Sequence, residues 1–157
     1  MVLNSMSLAT RHQGFTLIEI LVVLVIISII TGISVATFVN MNRGAILREA
    51  SSNVYDALTS ARGRTLSSQN NTVYGVRMST SSIIRFEGST YTPGNTSNTV
   101  YLFNSAVSAT SSLITQGKDI IFQRLNGEPS ATGTVYIRNG ISTSTIIIHG
   151  SGLVEYQ

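Results

Sequence analysis

Three residues near the start of the chain have types and spacing that can do chemistry together. Gly14 ends a polar segment, MVLNSMSLATRHQG, and Phe15 opens an apolar run that holds a single acid, Glu19. Cutting the Gly14–Phe15 bond would give Phe15 a free α-amino group. Glu19 stands one helical turn from that new terminus. A carboxylate in a membrane helix costs on the order of 2.5–3.5 kcal/mol at mid-span and less near an end, so this acid needs an explanation. One is that it lies close enough to the interface to snorkel without a partner. The other is an ion pair with the α-amine of a neighbouring copy, inside a packed bundle where a lone charge is expensive. Such a pair would also fix the axial register between subunits.

The rest of the chain offers little chemistry. His149 follows a β-branched run and reads as a strand residue rather than a base. Glu87, Asp119, Glu128 and Glu155 show no paired spacing. There is no Cys, so neither a disulfide framework nor a thiolate metal site is expected. No metal cluster, phosphate loop or nucleophile motif is present. We therefore expect no enzyme, no cofactor and no metal. The net charge of +3 is mild and does not by itself imply nucleic-acid binding. The candidate phosphate contacts are Arg62, Arg64, Arg77, Arg85, Arg124 and Arg138. Arg62 and Arg64 are two apart on a helix, so they diverge instead of forming one patch.

These residues need elements to hold them. The first 40 residues contain only two charged side chains, Arg11 and Glu19, and Ile20 to Val39 contains none. At 1.5 Å per residue that run measures roughly 30 Å, the thickness of a bilayer's hydrocarbon core. It is apolar all round, and in lipid a single span satisfies its backbone only as a helix. Ser34-Val35-Ala36 has the form of a secretory cleavage site, but the apolar stretch before it is too long for a signal peptide and contains Glu19. Arg11 precedes the run while Arg43 and Arg48 follow it, with Glu49 partly offsetting. Charge therefore does not set the orientation.

Gly14-Phe15-Thr16-Leu17-Ile18-Glu19, followed by the hydrophobic run, resembles the N-terminal signature of type IV pilins and type II secretion pseudopilins. The resemblance covers about 30 residues strongly. It implies that residues 1–14 are a leader, that a prepilin peptidase cleaves Gly14–Phe15 and methylates the Phe15 amine, and that Glu19 serves subunit assembly. It also implies a single-pass wait in the cytoplasmic (inner) membrane, among lipids and an assembly platform. The chain then joins other pilins in a helical filament, as a cell-surface pilus or a periplasmic pseudopilus. Many major pilins have a Pro near mid-span, where this chain has Ala36 with Gly32 nearby. Gly32 would serve either to loosen the helix on extraction or simply for close packing.

Beyond Arg43 the periodicity changes. Leu47, Ala50, Val54, Ala57 or Leu58, Ala61 and Thr65 recur at spacings of three and four, one stripe of an amphipathic helix. Arg48, Glu49, Ser52, Asp56 and Ser60 lie on the other side, with Arg62 on the flank. The stripe is too short and too rich in Ala for a coiled-coil stalk. No Pro interrupts Phe15–Gln69, so one helix of about 50 residues is expected, stopping at Gln69-Asn70-Asn71. Gly44 and Gly63 weaken it by roughly 1 kcal/mol each relative to Ala.

The remaining segment alternates short β-prone runs with turns. Strands are expected at Thr72–Met78, Ser82–Glu87, Thr99–Phe103, Asp119–Gln123, Thr134–Arg138, Thr145–His149 and Leu153–Tyr156. Asn104–Gln116 reads as a loop or a short element, and the last strands as hairpins of a meander around Asn139-Gly140 and Gly150-Ser151-Gly152. The fold class is α+β, the pilin fold: a long N-terminal helix, membrane-spanning then amphipathic, packed on an antiparallel head. The expected divisions are 1–14 leader, 15–41 hydrophobic helix, 42–70 amphipathic spine and 71–157 head.

The order of elements resembles the minor pilins called GspH/FimT-like. Phe122 running into Asn126-Gly127 fits their tail, but Gly152-Leu153-Val154 lacks the Arg of their final Gly-Arg-Val strand. The leading expectation is a minor structural subunit of a type IV pilus or type II secretion pseudopilus. The alternative is a DNA- or ligand-binding pilin at a pilus tip, acting in natural transformation or adhesion, with Arg62, Arg64, Arg124 and Arg138 as its DNA contacts. A bitopic protein with an uncleaved anchor is a third reading.

Overall fold

The computed structural model describes residues 14–113 and 117–157, except for the side chains of residues 33–38 and 40. Most of the segment expected to be a leader, up to residue 13 with Arg11 and His12, lies outside the described residues, as do the side chains of Ser34-Val35-Ala36 and the end of the Asn104–Gln116 segment. The chain forms two compact units, Met1–Val39 and Asn40–Gln157.

Helix α1 runs Leu17–Leu66, 50 residues. Thr16 begins it: its carbonyl receives the N–H of Ile20 at 3.3 Å, and its Oγ1 receives the N–H of Glu19 at 3.3 Å. This is an N-cap, and a carboxylate in the first turn suits the positive end of the helix dipole. At the other end the chain turns left-handed at Ser68, Asn70 and Asn71, so the expected stop falls where the sequence places it. Asn accepts this conformation more readily than most residues.

In the first unit, Leu17–Gly32 buries no face; Leu17 is 83% exposed and Ile30 59%. The two hydroxyls in this stretch turn back on their own helix: Ser28 Oγ donates to the Leu24 carbonyl at 2.7 Å and Thr31 Oγ1 to that of Ile27 at 2.8 Å. Among the described residues, no helix is long and apolar enough to cross a membrane. The charge-free run continues beyond Gly32 into residues whose side chains are outside the description.

In the second unit, the stripe of α1 lies under two antiparallel sheets. Strands β1 (Tyr74–Met78), β2 (Ser82–Glu87), β3 (Thr99–Leu102) and β5 (Asp119–Ile121) form one, in the order β3-β2-β1-β5. Strands β4 (Ser108–Leu113), β6 (Gly133–Arg138), β7 (Thr143–Ile148) and β8 (Val154–Tyr156) form the other, in the order β4-β6-β7-β8. Leu47, Ala50, Val54, Ala57, Leu58 and Ala61 are all buried, against Val76, Ile83, Ile120, Phe122, Val135, Ile137, Ile146 and Ile148. Small Ala side chains leave room for the helix to approach the sheets, and the branched residues fill the space between.

Among the described residues, seven of the eight strands lie within two residues of their expected bounds, and β6–β7–β8 is the expected meander. β8 is shorter, and β5 stops at Ile121, with Phe122 continuing only as an isolated bridge to Pro129. The segment left open between loop and short element contains β4, whose outward residues are Ser and Thr rather than apolar. β4 belongs to the second sheet although it lies between β3 and β5 in sequence. Phe86 is buried outside this core cluster, paired with Tyr91. The Phe86 ring lies flat over Gly75, where any Cβ would overlap it, and meets the edge of Tyr91 at 5.7 Å.

Candidate assembly site

Gly14, Phe15 and Thr16 precede α1, and Glu19 lies in its first turn. The Phe15 side chain is 79% exposed and Glu19 is exposed. Among the described residues the Glu19 carboxylate has no ion-pair partner. The start of α1 thus presents the Gly14–Phe15 junction, a capped first turn and an acid without an ion-pair partner among the described residues, followed by exposed aliphatic side chains. Chemically this can accept a cation and pack against other helices.

Sequence reasoning missed the role of Thr16. The signal was available, because Thr16-Leu17-Ile18-Glu19 has the S/T-x-x-E spacing of a capping box. The described contact is one half of that box, from the Glu19 N–H to the Thr16 hydroxyl. That half uses only the Glu19 backbone, so the cap fixes the start of the helix and leaves the carboxylate for another role.

The four candidate DNA-contacting arginines fall in two places. Arg62 is half-buried; its Nε donates to the Gly127 carbonyl and its Nη2 to the Ser151 carbonyl, both at 3.3 Å. Arg64 lies 5.8 Å from the centre of the Tyr74 ring, and Arg124 donates to the Asn71 side chain. These three gather around the end of α1. Arg138 is elsewhere, exposed at the end of β6, 5.6 Å from the Tyr136 ring. Of the others, Arg77 pairs with Asp119 at 3.2 Å and stacks on Tyr91, while Arg85 donates to Ser60 at 2.7 Å and to Thr99 at 3.0 Å. Most of these guanidinium groups bind the protein itself.

His149 follows β7 and lies 3.1 Å from Glu155 at the surface, a pairing across the β7–β8 hairpin. Glu87 accepts from Asn70. No group of three or more metal-ligating side chains occurs among the described residues.

Residues 9–35 match the family model described as the prokaryotic N-terminal methylation motif, the signature of type IV pilins and pseudopilins. The α+β architecture matches the pilin fold. The motif supports a pilin or pseudopilin subunit and points to a structural role rather than an enzymatic one. It implies membrane insertion followed by assembly with other pilins. No curated protein and no solved structure matches the chain.

Proposed function

We propose that this chain, which carries the N-terminal signature of the type IV pilins and pseudopilins, is a minor structural subunit of such a filament. A prepilin peptidase removes residues 1–14 and methylates the new amine of Phe15. The subunit waits in the cytoplasmic membrane as a single-pass protein spanning roughly from Ile20 to Val39. It then joins a filament whose interior is built from these helices. Glu19 pairs with the Phe15 amine of a neighbouring copy.

The observation that carries this reading is the start of α1. The motif's Gly14–Phe15 junction lies immediately before a Thr16-capped helix, so cleavage there leaves the helix intact with a charged terminus at its tip. The all-round apolar exposure of Leu17–Gly32, with its two hydroxyls satisfied internally, supports burial in lipid or a helical bundle. In either place an unpaired Glu19 carboxylate is costly, and one amine per neighbour removes that cost.

The test compares wild type with Glu19→Ala. The variant is expected to be processed and membrane-held, yet absent from filaments sheared off the cell. Normal incorporation of the variant contradicts the ion-pair role. A fully unprocessed variant would place Glu19 in recognition by the peptidase instead.

A further inference from the structure

The strand at the end of a sheet offers a row of backbone N–H and C=O groups to any further strand. The ends here are β3 and β5 in the first sheet and β4 and β8 in the second. β5 carries Asp119 and β8 carries Glu155, charges of the kind that oppose addition of another strand, and β4 exposes Ser and Thr. β3 has no such guard. Thr99 to Asn104 reads TVYLFN, without a charge, Pro or Gly. The two exposed side chains of β3 are aliphatic, Val100 at 52% and Leu102 at 76%, while Tyr101 and Phe103 pack on the core.

The ladder decides which backbone groups of β3 are used. The Phe103 N–H donates to the Ser81 carbonyl at 2.9 Å, so residues 103 and 81 form a hydrogen-bonded pair. Such pairs alternate along an antiparallel ladder, and the register sets Tyr101 opposite Ile83 and Thr99 opposite Arg85. Tyr101 and Thr99 therefore bond to β2 as well. The other side of β2 agrees: the Ser79 N–H donates to the Ser82 carbonyl at 3.0 Å, so Ser82 and Ile84 bond toward β1. The N–H and C=O groups of Val100 and Leu102 thus point away from β2, to a side where, among the described residues, the sheet has no strand.

We propose that β3 docks on the β3 of a second copy of this chain, antiparallel about a two-fold axis at Tyr101. In that register Val100 of each copy lies opposite Leu102 of the other. Both pairs bring outward-pointing groups together, so four backbone hydrogen bonds form. A shift of two residues either way leaves a single such pair within the strands, Val100 on Val100 or Leu102 on Leu102. The exposed aliphatic side chains meet across the strands, and no charge in the segment meets its like. This self-complementarity selects a second copy over an unrelated strand. A two-fold contact closes on itself, so it makes a dimer and cannot extend a filament. The inference rests on the head alone and does not depend on the pairing of Glu19.

The chain has no Cys, so introduced thiols report without background. Detergent-held full chains carrying either Val100→Cys or Leu102→Cys, both at exposed sites, are mixed and oxidised with copper phenanthroline. Opposed Cα atoms in a hydrogen-bonded pair stand about 5.5 Å apart, within disulfide reach, whereas position 100 and its own counterpart would stand about 8 Å apart, beyond it. The mixture is expected to form a disulfide dimer several-fold faster than either variant alone, and an excess of wild-type chain should slow it. Equal rates in the mixture and in the single variants mean random collision and overturn the proposal. A wild-type dimer whose Cys variants form no disulfide in the mixture belongs to another face, such as the apolar helix, and overturns it too.

Discussion

The backbone N–H of Tyr74 donates a 2.8 Å hydrogen bond to the Oγ1 of Thr65, whose hydroxyl in turn donates to the Ala61 carbonyl at 2.9 Å. Both residues are buried, so the last turn of α1 and the first residue of β1 are joined where water cannot substitute. Thr65→Val keeps the shape but leaves the Tyr74 N–H without a partner. We expect a loss of about 1–3 kcal/mol in urea unfolding of the detergent-held chain. Thr65→Ser retains the acceptor and should lose less. An unchanged midpoint for the Val variant contradicts the role of this bond.

Gly127 and Gly152 meet under Arg62. A Cβ on Gly152 would overlap the Gly127 carbonyl, and both residues have left-handed backbones, at φ +68° and +79°. Gly152→Ala therefore combines a backbone penalty of about 1–2 kcal/mol with the separation of two turns. Loss of more than that penalty is expected in the same unfolding assay. Arg62→Met, which deprives two carbonyls of their donor, should cost about 1–3 kcal/mol. Wild-type stability in both variants would show that the turns hold without each other.

The stripe of α1 and most strands were legible because local rules govern them. Spacings of three and four mark the buried side of the helix from Leu47 to Thr65, and Gly or Asn punctuates the hairpins at Asn139 and Gly150. The division into two sheets was not legible. β4 is built of Ser, Ala and Thr, and its place beside β6 comes from a ladder between Ser108–Leu113 and Gly133–Arg138 that no local pattern encodes. The meeting of Gly127 with Gly152 is likewise a long-range fact, although each glycine was readable as a turn. At the N-terminus, residue types pointed to Gly14, Phe15 and Glu19, while attention to the acid's charge hid the capping partner Thr16.

The arginines supply a separate prediction. Arg62 is bound to carbonyls, and Arg64, Arg85 and Arg124 have partners on the protein. The detergent-held chain is expected to leave duplex DNA unshifted in gels even at low salt. A shift that weakens steeply as salt rises, the behaviour of phosphate contacts, would favour the tip-located DNA-binding reading. Its loss in Arg124→Gln or Arg138→Gln would say at which end of the head the DNA lies.

The most direct measurement is the mass of the N-terminal peptide from chain extracted from membranes of cells with an active prepilin peptidase. The account predicts a peptide beginning at Phe15 and heavier by one methyl group. A peptide beginning at Met1 would leave Glu19 with no new amine to neutralise, and would contradict assembly through this site.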